Sequence, residues 1–339
     1  MNLISLKFNN KELAETWRCY EQNSSVSPFV YYDYVKYIYN HLRKIAFKYK
    51  FVMYCVTDDS GEILMIAPLK KDIFNGKYKM LGDLQGCGET DFIFKPSLKD
   101  STKKECLDLL FAKIGKSAAL RRISATSYLY NYLQQYSAGN ISEPTTAVCV
   151  AISFEDSYDD YFKTLSSSVR QNVRTAYNRM NRDGKIFELK IYRGSELSEN
   201  NRKEIMEVYI DRLFGKYKKK KGPVLWWNRF KYAYVKHDTK SLFELDNTFH
   251  AVLYIDGKIA AFMNGLANYS NTKVVVPRLA IDMEYKFYSP GYVLICETAK
   301  YMLDIAKIKT LDLVRGTEKY KTDLGGKEYY TYSFKVRSK

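Results

Sequence analysis

Ser289-Pro290-Gly291 has the chemistry of an anion-binding helix start. Serine is a frequent N-cap, proline wastes no N–H in the first turn, and glycine lets a ligand approach the backbone. The N–H groups of Gly291, Tyr292 and Val293 would then face out of the positive end of a helix, where a pyrophosphate fits. An ordinary capped helix has the same signature. Three titratable residues accompany it: Asp282 at the end of the preceding strand, Glu318 in the loop after the following strand, and His250 at the head of an upstream strand. Histidine has an ordinary pKa of ~6.5, which suits proton transfer at neutral pH, although a lone strand histidine is more often structural. Asp282 and Glu318 read equally well as turn or ion-pair residues.

The elements that must position these groups follow from periodicity. Residues 278–321 read strand, loop, helix, strand, loop, with Ile295, Ala299, Met302 and Ala306 as the buried helix stripe. Upstream, the pattern predicts a helix over 158–183 with an apolar face of Val169, Val173, Ala176 and Met180, closed by Gly184. It also predicts a helix over 198–217, the basic loop KYKKKK (216–221) and an aromatic helix over 226–237. That loop reads as a mobile exposed segment, or as a lid or membrane contact. In the first half, Ser27-Pro28 marks a helix start, and 50–57 and 62–69 form a hairpin. A second hairpin, 249–255 with 258–266, has the same strand, acidic-Gly turn, strand pattern and similar flanking helices. The expectation is a mixed α/β fold in two related domains, 1–145 and 146–339.

With 339 residues, 46% of them hydrophobic and 27% charged, the chain has the composition of a globular protein large enough for two cores. No apolar run approaches the ~20 residues that span a bilayer, and the first ten residues read as a strand, not a signal peptide. Six scattered cysteines without a Cys/His cluster argue against zinc or any other metal site and fit a reducing cytoplasm. The formal charge of +16 favours anionic partners, among them coenzyme A, nucleotide sugars, a negative membrane surface and nucleic acid. No helix-turn-helix, RNP-like or zinc motif supports nucleic acid, so that class is disfavoured.

The segment carrying Asp282, Ser289-Pro290-Gly291, Asp312 and Gly316-Thr317-Glu318-Lys319-Tyr320-Lys321 resembles the C-terminal part of the CelD/BcsL-type acetyltransferases, a GNAT branch linked to polysaccharide biosynthesis. The stretch 165–184 is similar to that family's Ser-x-x-Arg basic helix. Residues 249–261 resemble its strand–turn–strand, and 66–71 with 81–92 resemble its N-terminal half. The resemblance implies two tandem GNAT-like (acyl-CoA N-acyltransferase) domains, the first degenerate, similar to the Fem-type ligases of peptidoglycan bridges. The longer GNAT phosphate loop is absent; only its Gly291 end remains.

The implied reaction is direct acyl transfer from acetyl-CoA or another acyl-CoA to an amine or hydroxyl of a sugar or cell-surface polysaccharide precursor. It needs a base, a polarised thioester carbonyl and an acid for the leaving thiolate. Glu318, Asp282 and His250 are the candidate bases, and Tyr320 the candidate acid or substrate ligand, although with 31 tyrosines any one of them is usually packing. Ser289, Pro290, Gly291, Tyr292 and Val293 are expected to bind the donor. Arg170 and Arg174, four apart on one helix face, and Arg315 and Lys321 are expected to grip an anionic substrate, or else to form a solvated face and local ion pairs. The alternatives are a Fem-type aminoacyl-tRNA-dependent ligase and a non-catalytic GNAT-like scaffold for polysaccharide synthesis. The expected setting is cytoplasmic, with peripheral contact at the inner membrane surface or with glycan-synthesis machinery.

Overall fold

The computed structural model describes residues 1–337 except 24, 46, 85, 116, 136–139, 215–242 and 244. The expected KYKKKK loop and the helix over 226–237 lie outside the described residues. The chain divides into two compact units, one of Met1–Cys149 with Tyr329–Lys339, the other of Val150–Glu328.

Unit 1 begins with β1 (Asn2–Leu6), α1 (Lys11–Gln22) and α2 (Tyr32–Ile45). Strands β2 (Tyr49–Thr57), β3 (Ile63–Asp72), β4 (Tyr78–Met80) and β5 (Ile93–Phe94) follow. Then come α3 (Asp100–Ile114), β6 (Ser117–Ser124), α4 (Tyr128–Gln135) and β7 (Asn140–Ile141). The chain passes to unit 2 within β8 (Thr145–Ser153) and returns in β14 (Lys327–Arg337). Of residues 329–337, which the sequence groups with the second half, Thr331 to Arg337 pair antiparallel with β6. The sheet order in unit 1 is β1-β2-β3-β4-β6-β14, with β4 and β6 parallel. Ser27 opens only a 3-10 turn, Pro28–Val30, and its side chain caps nothing. The helix proper starts at Tyr32, whose N–H donates to the buried Glu21 carboxylate at 2.6 Å.

Unit 2 continues with α5 (Tyr158–Thr164), α6 (Ser167–Arg182), β9 (Phe187–Arg193) and α7 (Glu199–Phe214). Strands β10 (Thr248–Ile255), β11 (Lys258–Ala267) and β12 (Lys273–Ile281) form a meander. It is followed by α8 (Pro290–Tyr301), β13 (Thr310–Arg315) and the short α9 (Lys319–Asp323). The order is β9-β10-β11-β12-β13-β8, with β12 and β13 parallel. The expected single helix over 158–183 is two helices. Leu165 is extended and Ser166 restarts the helix, its hydroxyl accepting from Val169 N–H at 3.3 Å. The predicted face of Val169, Val173, Ala176 and Met180 is buried and packs with α8 on one side of the sheet. Helix α7 covers the other side over Val252, Phe262 and Ala280.

Candidate functional site

The parallel pair at the centre of unit 2 separates early. Lys273, Val274 and Val275 pair with Thr310, Leu311 and Asp312, and the described pairing stops there. Strand β12 nevertheless runs on to Ile281, still paired with β11 on its other side. A gap therefore opens between two parallel strands toward their C-terminal ends, where ligands of open α/β sheets commonly bind. At the gap, Val314 has φ +44°, a conformation costly for a β-branched residue and typical of strained functional positions. Its N–H turns to the Asp312 carboxylate at 2.9 Å. Asp312 itself is buried and ion-paired with Lys273 at 2.7 Å.

Helix α8 starts at the same end of the gap. Ser289 is left-handed, φ +48°, and makes no side-chain cap, so the cap expected of its hydroxyl is not used. Its carbonyl accepts the N–H groups of Tyr292 at 3.0 Å and Val293 at 3.4 Å. Of the three N–H groups expected to face a ligand, two are thus taken within the turn. The first turn holds no acidic residue, and a Cβ at Gly291 would meet only Ile281, at 3.4 Å. The turn before it, Met283–Tyr288, is held by α6. Arg179 donates to Phe287 O at 2.9 Å and lies 4.4 Å from the Phe287 ring centroid, while Tyr288 Oη donates to Asp183 at 3.0 Å. Tyr292 Oη donates to Asp323 of α9 at 2.7 Å. Arg179 thus positions this turn, whereas Arg170 and Arg174, expected to grip an anionic substrate, make local contacts on their own side of α6. Arg170 donates to Lys163 O at 2.7 Å, and Arg174 lies 5.9 Å from the Phe162 ring centroid.

The Gly-x-Glu-x-Tyr-Lys stretch forms a clamp on the end of β13. Lys321 is buried, and its ammonium donates to the carbonyls of Leu313 at 3.0 Å, Arg315 at 2.7 Å and Gly316 at 3.3 Å. It also pairs with Glu318 at 3.1 Å. Its donors are committed to the fold, which corrects its assignment as a substrate ligand. Gly316 has φ +106°, and a Cβ there would collide with the Glu318 carboxylate. Glu318 itself remains 58% exposed at the mouth of the gap. Tyr320 packs half-buried against the core, and burial raises its pKa, with the Glu318 charge adding to the effect. Arg315 ends β13 exposed to solvent. Asp282 directly follows β12 and caps the next turn, accepting from Glu284 N–H at 2.9 Å. Asp282 also lines a cleft of about 580 Å³ with Glu204, Glu207, Asp211 and Lys258. The parallel topology thus brings Asp282, Gly291, Glu318 and Tyr320 to one end of the same strand pair.

His250 lies elsewhere. It pairs in register with Asn264, and Asn264 with Arg278, so one row crosses β10, β11 and β12 beneath α7. His250 and Asn264 are fully buried, and the Asn264 amide meets His250 Nδ1 at 3.0 Å. Burial, helped by the nearby Arg202 charge, pushes the His250 pKa down to about 3. The ring is therefore neutral at neutral pH but too weakly basic to hold a proton there, contrary to the expectation from its ordinary pKa. Among the described residues, His250 Nε2 and Asn264 Oδ1 have no hydrogen-bond partner. Sequence reasoning missed Asn264 and Arg278. Their signal was available as polar residues inside the otherwise apolar runs AAFMNGLA and VVVPRLAI.

Residues 167–322 match the family model described as an acetyltransferase (GNAT) domain. Among solved structures, FemX aligns with a TM-score of 0.62 at 10% identity, covering 99% of this chain and 97% of that one. L-PGS from Bacillus licheniformis aligns at 0.53 and 14% identity, covering 89% and 91%. A tandem GNAT protein from the clavulanic acid biosynthesis pathway aligns at 0.50 and 9%, covering 98% and 97%. No curated protein matches the chain. The fold is thus a tandem GNAT fold, and the C-terminal unit carries a GNAT acetyltransferase-like domain.

Proposed function

We propose that the protein transfers an acyl group from acetyl-CoA or a related acyl-CoA to an amine or hydroxyl of a sugar or cell-surface polysaccharide precursor, in the manner of the CelD/BcsL-type acetyltransferases. The observation that carries this reading is the gap between β12 and β13 beside the glycine start of α8. The edge of β12 from Val276 to Ile281 offers strand-type C=O groups, and N–H groups except at Pro277, to an extended amide-bearing arm, as in strand addition. The start of α8 offers the Gly291 N–H and the positive helix end to a pyrophosphate. Glu318 and Asp282 stand at the C-terminal ends of the two strands and are the proton acceptors for the attacking group. Tyr320, which lies in the short α9 that directly follows Glu318, is the donor to the leaving thiolate.

Two variants test this. Gly291→Val places a branched side chain at the helix start and is expected to weaken acyl-CoA binding about 10- to 100-fold in a folded protein, measured by calorimetry. Undiminished affinity excludes this helix start as the pyrophosphate site. Glu318→Gln keeps the size and is expected to lower turnover by roughly 10²–10⁴-fold with donor binding retained. Full activity removes Glu318 as the base and leaves Asp282. Incubation with a panel of acyl-CoAs and nucleotide sugars, followed by mass spectrometry, identifies the thioester consumed. The Fem-type reading predicts that no thioester is consumed and that charged tRNA is the donor instead.

A further inference from the structure

Two neighbouring turns of unit 1 expose an apolar tip. Phe47, before β2, is 90% exposed; Ile73 and Phe74, between β3 and β4, are 57% and 82% exposed. The turns are adjacent, because Ile73 N–H donates to Lys48 O at 2.9 Å and Lys50 pairs in register with Lys71. Exposed apolar residues are ordinary when scattered singly, but these three share one tip.

The tip is also strongly basic. Residues 43–50 and 70–79 contain eight lysines or arginines and one acid, Asp72, which accounts for seven of the chain's sixteen net positive charges. Asp72 is itself paired with Lys79 at 3.2 Å, and of the eight only Lys70 is buried. Arg43, Lys44, Lys48 and Lys50 are all exposed around Phe47.

Protruding aromatic side chains within a ring of cations match the layered chemistry of a bilayer surface. Ammonium groups meet anionic headgroups while apolar tips enter the headgroup–acyl boundary. A nucleic-acid duplex would use the cations but has no apolar layer for the turn tips to enter. We propose that this tip docks the protein on the surface of an anionic phospholipid bilayer. The proposal stands independently of the donor site in unit 2.

The test is co-sedimentation of the full chain with vesicles of phosphatidylcholine containing roughly one third phosphatidylglycerol, against pure phosphatidylcholine. Binding is expected only to the anionic vesicles and is expected to fall as salt rises. The double variant Phe47→Ser/Phe74→Ser changes no charge and is expected to weaken binding at least about tenfold. Lys48→Glu/Lys50→Glu is expected to weaken it by about fivefold or more per lysine. Both should melt like wild type, since the substituted side chains are exposed. Single Phe47→Trp gives a second readout, a blue-shifted emission with anionic vesicles. Wild-type-like sedimentation of the phenylalanine variant, or no preference for anionic vesicles, overturns the proposal. So does displacement by heparin that the phenylalanine variant shares, which would make the tip a general polyanion surface.

Discussion

The two units run through the same strand order, yet only one keeps a gap. In unit 1, β4 and β6 pair in parallel from Tyr78 and Ala118; in unit 2, β12 and β13 pair in parallel from Lys273 and Thr310. Four residues beyond the first paired position, each second strand has a left-handed non-glycine residue, Arg122 at φ +62° and Val314 at φ +44°. In unit 1 the chain's own loop, 81–92, is tied to that place. Thr90 N–H donates to Arg122 O at 2.8 Å, and the Arg122 side chain binds Cys87 O at 2.8 Å and Asp83 at 3.2 Å. The following helix also differs: α3 begins with Asp100, whereas α8 begins with Pro290-Gly291 and no acid. An acid at a helix start repels the anion that a glycine start admits. On the function proposed above, the second unit keeps the donor site and the first is its self-filled counterpart.

Each unit also buries a lysine against backbone carbonyls, and the two give the largest expected contrast. Lys70 binds Leu81 O and Asp83 O, securing the loop of unit 1, and burial lowers its pKa to about 8. Lys321 binds three carbonyls at the end of β13 and pairs with Glu318. Lys321→Met leaves those carbonyls and one carboxylate without their cation, and is expected to cost about 3–5 kcal/mol of stability by denaturant unfolding. A loss below about 1 kcal/mol, with impaired catalysis, would return Lys321 to the role of a substrate ligand.

A smaller effect tests the buried row of unit 2. The His250 pKa is about 3 folded, against an ordinary ~6.5 unfolded. Above pH ~6.5 neither state is protonated at this ring and it makes no pH-dependent contribution. As pH falls from ~6.5 toward 3, the unfolded chain takes up the proton first, so stability is lost. The slope is about 1.4 kcal/mol per pH unit, or about 3 kcal/mol by pH ~4. His250→Phe is expected to remove that slope, measured as urea unfolding at stepped pH. Parallel curves for the two proteins would mean that the ring is accessible and titrates normally.

These cases show what local pattern reveals. Strand and helix periods were legible wherever one face is buried, as with Val169, Val173, Ala176 and Met180 on α6. The break at Leu165–Ser166 was not, because a serine within a run of three serines caps only in relation to Val169 N–H. The site residues followed the same rule. Asp282, Gly291 and Glu318 lie in segments joined by one strand–helix–strand passage, so their convergence was readable from order alone. The roles of Lys321 and His250 depend on burial, which spacing does not report. The row of His250, Asn264 and Arg278 depends on register across three strands, which no short window contains.

The smallest effect sharpens the comparison of the units most directly. Thr90 is buried, and besides its backbone bond its hydroxyl donates to Arg121 O at 2.5 Å. Thr90→Val keeps the shape and the backbone N–H but removes that one bond, leaving a carbonyl short of a donor. The expected loss is about 1 kcal/mol. Because the loop belongs to unit 1, acyl-CoA affinity should stay at the wild-type value, whereas Gly291→Val should lower affinity while stability holds. The two substitutions thus separate a self-filled gap from an open one, read by thermal melting and calorimetry on the same samples. If Thr90→Val lowers acyl-CoA affinity, or creates a second binding site, then loop 81–92 is part of the ligand machinery and the assignment of unit 1 as the closed copy fails.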